Sequence, residues 1–226
     1  MKREEYGGLS ARIPEYFMSI ALNNSTEFFE STRKQYETDV KRPLYQLAER
    51  LQPTMLDIDP EMEVRPSRVV SRIRRDTRFT KDKSPYRAHA WLSYVRMGVE
   101  KSQGFGFYYG ISTSASSYGA GFYSLDTSRV RRLRESLVAR EQDFLRVLTD
   151  PQFTARFVLG GDDYKRIAIP ETLDPRLHAL YRKKNFFYDH EDALGDTVFS
   201  PGYILELESG MRALAPLYAL MWEIFG

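Results

Sequence analysis

SQGFGFYYGISTSASSYGAGFYSL, residues 102–125, contains no charged side chain, although 28% of the whole chain is charged. Its Gly, Ser, Tyr and Phe suit a twisted β-ribbon. Within it, 103–112 and 118–123 read as strands joined by a serine-rich turn at 114–117, and 89–97 reads as a third strand ended by Gly98. Extended segments linked this briefly pair as an antiparallel meander.

Both flanks carry helical spacing instead. Upstream, Ile13, Tyr16, Phe17, Ile20 and Ala21 mark a helix over 12–22 that Asn23-Asn24 stop. Asn24 then reads as the N-cap of a second helix, with Glu27 three residues on and Phe28, Phe29, Thr32, Tyr36 and Val40 along one side. Pro43 bends or restarts it, and Leu44, Leu47, Ala48 and Leu51 continue the apolar stripe to Pro53. From Asp57 the alternation Asp57, Asp59, Glu61, Glu63, leading to Val64, Val69, Ser71 and Ile73, predicts a strand.

Downstream, Asp126 or Thr127 caps a helix with Val130, Leu133, Leu137, Phe144 and Leu148 inward. A short helix or turn at 151–157, a break at Gly160-Gly161 and a helix at 175–184 follow. Ser200-Pro201 opens a C-terminal helical region with Leu214, Leu217, Tyr218, Met221 and Phe225 on its core side. Helices, then strands, then helices predict an α+β fold: a single domain over 11–226, after a tail at 1–10, with a central antiparallel sheet flanked by N- and C-terminal helices.

At 226 residues and 42% hydrophobic content, such a chain buries roughly 70% of its unfolded surface without cross-links. It contains no cysteine, which excludes disulfides, thiolate nucleophiles, iron–sulfur clusters and cysteine-ligated zinc. No apolar run is long enough for a signal peptide or a membrane span, so the expected setting is the cytoplasm, with no membrane partner.

The net charge is only +2, which disfavours nucleic acid as a partner. The average hides a concentration. Residues 68–87 carry eight Arg and Lys against Asp76 and Asp82, a local charge of +6. Its centre is RIRRDTRFTKDKSPYR, residues 72–87. With Ile73 facing a core, Arg72 and Arg74 project from the opposite strand face about 7 Å apart, a span that two guanidinium forks close over one anion. Arg75 shares the face of Ile73 and needs a carboxylate, from Asp76 or Asp82. The turn-forming run from Thr80 to Pro85 folds Lys81, Lys83 and Tyr86 back over the same face.

The chain resembles a family at these positions, the bacterial and fungal proteins grouped as a domain of unknown function, DUF2461. The likeness rests on Arg72-Ile73, Arg75-Asp76, Arg78-Phe79, Asp82-Lys83 and Pro85-Tyr86, with Asn23-Asn24, Phe28-Phe29 and Tyr36 upstream and Gly119 and Gly121 downstream. The chain departs in carrying Phe28 where the family usually has tryptophan and Arg87 where lysine is common. The resemblance implies an α+β protein and brings no catalytic residue with it.

Other constellations are weaker. Gln103 to Gly110 approaches the aromatic strand motif of RNA-recognition domains but lacks its leading basic residue, its aliphatic slot and its closing aromatic. Gly119-Ala-Gly121 lacks the rest of a dinucleotide fingerprint and reads as a bend or close-packing point beside which a ligand can approach the backbone. The acids from Asp57 to Glu63 lack a calcium loop's glycine, and Asp189 to Asp192 with Asp196 has no second nearby histidine for a metal. His89, His178 and His190 are scattered, and no Gly-x-Ser-x-Gly elbow accompanies them.

The functional expectation is a small anionic or phosphorylated ligand held by Arg72, Arg74, Arg75, Arg78, Lys81, Lys83, Tyr86 and Arg87. Tyr108, Gly119, Gly121 and Tyr123 would form its wall. Asp76 and Asp82 orient the cations and are the candidate bases should a reaction occur; no metal and no cofactor is expected. The alternative is a noncatalytic interaction or scaffold module whose Arg/Asp motif is a structural salt-bridge network.

Overall fold

The computed structural model describes residues 6–78 and 80–226. The chain opens with helix α1, Arg12–Leu22, which buries Ile13, Tyr16, Phe17 and Ile20. Helix α2, Thr26–Gln35, passes through a π-helical segment, Tyr36–Lys41, into α3, Arg42–Ile58. Pro43 sits in the first turn of α3. Its ring crowds the preceding turn and its nitrogen donates nothing, and the wide π turn just before it accommodates both effects. Pro53 does not end α3, which continues to Ile58 and buries Thr54 and Met55 beyond it.

The strand expected over 57–73 does not form. Asp59 turns the chain by accepting the Glu61 N–H at 2.9 Å, and Pro66, with its φ preset, opens the short helix α4, Pro66–Val69. Only isolated bridges follow, Val70 to Leu92 and Arg74 to Tyr86. They tie the basic segment to the chain that becomes β1, Ala90–Tyr94.

Strands β2, Phe105–Ile111, and β3, Ala115–Phe122, complete the meander. Then come α5, Thr127–Ala139, α6, Glu141–Leu148, α7, Pro151–Arg156, and strand β4, Val158–Gly160. Asp126 caps α5 by accepting the Arg129 N–H at 2.8 Å. The helix expected to run on to Leu148 breaks at Arg140, which leaves helical geometry while its side chain bonds Asp143 and Glu223. A 3₁₀ turn, Pro175–Leu177, leads into α8, His178–Tyr181, and then to β5, Phe187–Ala193; α9, Asp196–Phe199, and α10, Tyr203–Phe225, end the chain.

The fold is α+β: one antiparallel five-stranded sheet in the order β1-β2-β3-β5-β4, with helices flanking it in sequence. β4 pairs with β5 in the register Val158 to Asp189 and Gly160 to Phe187. Backbone contacts group the chain into two compact units. The first comprises residues up to Tyr94 with Tyr108–Ser117 and Glu191–Glu208; the second comprises Val95–Phe107, Tyr118–His190 and Ser209–Gly226. In the first, Ile13, Phe17, Leu47, Leu51, Leu92 and Tyr94 are fully enclosed, and Tyr6 and Leu9 are buried as well. In the second, Phe107, Leu133, Phe144, Phe186, Leu217 and Met221 form the core. Burying each such side chain contributes about 1.5–3 kcal/mol. Among the described residues no helix is long and apolar enough to cross a membrane.

Candidate functional site

The basic segment lies in the first unit. Its backbone is held on both sides of the Arg74 to Tyr86 bridge: the Arg75 N–H donates to Pro85 O at 2.8 Å and the Arg87 N–H to Ile73 O at 2.9 Å. Tyr86 is the anchor, 3% exposed and stacked on Phe29 with ring centroids 4.4 Å apart. Its N–H donates to Asn24 Oδ1 at 3.0 Å, and Asn24 Nδ2 donates to its carbonyl at 2.9 Å. Asn24 therefore does not cap α2; the Ser25 hydroxyl takes that place, accepting from the Phe28 N–H at 3.1 Å.

Apart from Arg87, the cations of the segment fall into two groups. Arg75 pairs with Asp82, Arg78 with Asp76 at 2.6 Å, and Lys83 donates to Thr77 O at 2.9 Å. Hydrogen bonds from Arg78 hold the Asp76 carboxyl down to about 2. Hydrogen bonds from Ser84, and then from Arg75, do the same for Asp82. Arg72, Arg74 and Lys81 are exposed and make no ion pair with any described residue.

Arg87 is arranged differently. Its Nη1 donates to the carbonyls of Arg72 at 2.8 Å and Arg74 at 2.6 Å, and its guanidinium lies 5.0 Å from the centroid of the Trp91 ring. His89 stacks on the same ring at 5.5 Å. Arg87 and His89 thus both lie against Trp91, while Ala90, Leu92 and Tyr94 point inward. Burial and then the charge of Arg75 depress the pKa of Arg87, with Asp76 opposing. Burial, then Arg87 and Arg75, depress that of His89 below its usual 6.5. Cationic and protonatable groups are thus held close enough to disfavour one another's charge.

A family model for conserved hypothetical proteins, DUF2461, matches residues 12–220 of the chain. The chain belongs to this family. No curated protein matches it. The family's description names no activity or ligand, so the residues themselves carry the functional argument. Several positions that carry the DUF2461 likeness meet in the first unit: Asn24, Phe29 and Tyr86 as described, with Tyr36 5.5 Å from Phe29 between ring centroids. Phe79, another such position, lies outside the described residues.

The expected ligand wall divides between the units. Tyr108, half-buried on β2, belongs to the first, and Gly119, Gly121 and Tyr123 to the second. Tyr123 is 83% exposed. The space beside Gly121 is filled by Phe186 and Phe187, so the close approach is made by the chain itself. Phe105, Phe107 and Tyr109 are buried, not displayed for stacking. In the acidic stretch, His190 Nδ1 lies 2.9 Å from Arg156 O, and Asp192 accepts the Tyr203 hydroxyl at 2.6 Å. His89 and Trp91 are the functional candidates that sequence reading missed; the alternation Arg87, His89, Trp91 beside a basic run is the signal that marks them.

Proposed function

We propose that the chain binds a small anionic or phosphorylated ligand over the basic segment, with Arg75 and Arg87 as its principal contacts and His89 and Trp91 beside them. One observation carries this reading: Arg87 is pinned by two backbone carbonyls over the Trp91 face, next to His89, and within the field of Arg75. Holding like charges together is unfavourable, and an anion with two or more oxygens relieves it through charge-assisted hydrogen bonds. Arg72, Arg74 and Lys81 add to the attracting field. Tyr86 fixes the backbone. Carboxylates near 2 are weak bases, so Asp76 and Asp82 suit orienting the arginines better than taking a proton.

Inorganic pyrophosphate is the probe. At ten times its dissociation constant it stabilises the folded state by about 1.4 kcal/mol, a rise of about 3–6 °C in melting temperature for a chain of this size. Arg87→Gln abolishes the rise. The histidines supply an independent signal. His89 binds fewer protons folded than unfolded, so it contributes stability above about pH 6.5 that is lost as pH falls through its lowered value. Bound pyrophosphate offsets Arg75 and Arg87, so the His89 NMR titration midpoint moves upward. If pyrophosphate produces neither a thermal rise nor a His89 shift, the proposal fails.

The pairs Arg75–Asp82 and Arg78–Asp76 favour a second reading, a loop fastened for its own sake. Asp82→Asn separates the two. If Arg75 contacts an anion, removing its internal partner strengthens pyrophosphate binding several-fold; if the pair only fastens the loop, pyrophosphate has no effect on either protein.

A further inference from the structure

The second unit contains a cleft of about 690 Å³ along one side of α5, bordered by Val130, Arg134, Val138, Tyr164 and Tyr181. Arg134 is its most unusual feature. The guanidinium carbon lies 4.6 Å from the Tyr164 ring centroid and 5.4 Å from that of Tyr181, and Nε donates to Tyr181 O at 2.9 Å. Nη2 is buried and has no hydrogen-bond partner among the described residues. The acid next in sequence, Glu135, is directed to Arg131 at 3.8 Å, and a second cation, Lys184, lies 5.4 Å from the Tyr164 ring centroid.

Aromatic rings satisfy the faces of a guanidinium but not its edge, where the N–H bonds point. A buried N–H that has lost water and found no acceptor is uncommon in folded proteins and leaves the guanidinium charge without an internal counterpart. Here it belongs to a full charge bordering a cleft with apolar walls, the usual composition of a small-molecule site. We infer that this cleft binds a small organic carboxylate, which pairs with the cleft-facing side of the Arg134 guanidinium and rests its flat apolar body against Tyr164, Val130 and Val138. A carboxylate is favoured because a charge-assisted hydrogen bond to a guanidinium is roughly twice as strong as a neutral one. This site is separate in sequence and in unit from the basic segment.

Isothermal titration calorimetry with 3-phenylpropionate and its neutral amide, 3-phenylpropanamide, tests the assignment. The acid binds at least tenfold more tightly than the amide, and Arg134→Gln removes that difference. Val138→Trp, at an exposed position on the cleft wall, leaves Arg134 in place and weakens the acid at least tenfold. Arg87→Gln changes its affinity by less than twofold. Equal binding of acid and amide, including none by either, overturns the inference. So does a charge preference that survives Arg134→Gln, unchanged affinity in Val138→Trp, or loss on Arg87→Gln, which would move the carboxylate to the basic segment. Tighter binding of phenyl phosphate than of 3-phenylpropionate overturns the choice of carboxylate.

Discussion

Gly121→Ala is expected to lower stability by about 3–5 kcal/mol, near the upper end for a single substitution. The backbone at Gly121 has no positive φ, so the cause is space, not conformation. A Cβ there would lie 2.4 Å from Phe187 Cβ, and 2.5 Å from both Phe187 Cα and Phe186 O. These neighbours are mostly backbone of the adjoining chain, and they cannot rotate away. The strand is held where it is by the Phe122 N–H, which donates to Phe186 O at 2.9 Å, and by the Phe122 and Phe186 rings, packed edge to face at 5.6 Å. Making room means parting β3 from this segment and disturbing a fully buried ring. The strand propensity of alanine over glycine recovers less than about 1 kcal/mol. Gly110→Ala is the control, because a Cβ there meets nothing closer than Ser117 Oγ at 3.5 Å. Thermal unfolding should show Gly121→Ala melting about 10 °C lower and Gly110→Ala nearly unchanged; equal melting of the two would refute the packing argument.

How much of this was legible follows from where the signal lies. The three meander strands stand out because an uncharged run interrupts a charged chain, and α1, α5 and α10 because their apolar residues recur at helical spacing. β5 gives almost no such signal. Only Tyr188 is buried along it, and its acids find partners such as the Tyr203 hydroxyl, which no local pattern announces. The alternating acids before α4 looked like a pleat but include a side chain that turns the chain. At the candidate site the arginines were legible as a composition, and their pairing was not. Arg78 takes the aspartate two residues before it and Arg75 one seven residues after it, a choice fixed by the path of the loop. Arg134 resembled any solvated helix arginine. Its neighbours Tyr164 and Tyr181 come from far downstream, so nothing near it in sequence points to a cleft.

Asn24→Ala should reduce stability by about 2–3 kcal/mol and also weaken the response to pyrophosphate. The side chain makes two hydrogen bonds to the backbone of one residue, 62 positions away. Each is worth about 0.5–1.5 kcal/mol, and a desolvated backbone group left without a partner costs more. The Tyr86 N–H and carbonyl have little access to replacement water, since that residue is almost fully buried against Phe29. Asn24→Asp is no better. A carboxylate still accepts the Tyr86 N–H, but it places a second oxygen against the Tyr86 carbonyl where an amide donor is required. The effect on binding follows from connectivity: Arg75 and Arg87 are bonded through their backbones to Pro85 and Ile73, on either side of the Arg74 to Tyr86 bridge. Releasing Tyr86 loosens the frame that holds the two guanidinium groups near each other, and the repulsion between them then drives them apart. Arg87→Gln should do the reverse, removing the pyrophosphate response at a smaller cost in stability than Asn24→Ala, because the two carbonyls it releases belong to the exposed residues Arg72 and Arg74. Melting curves for the two variants with and without pyrophosphate distinguish frame from contact. If Asn24→Ala keeps the full pyrophosphate response despite its lower melting temperature, the clamp does not organise the anion site.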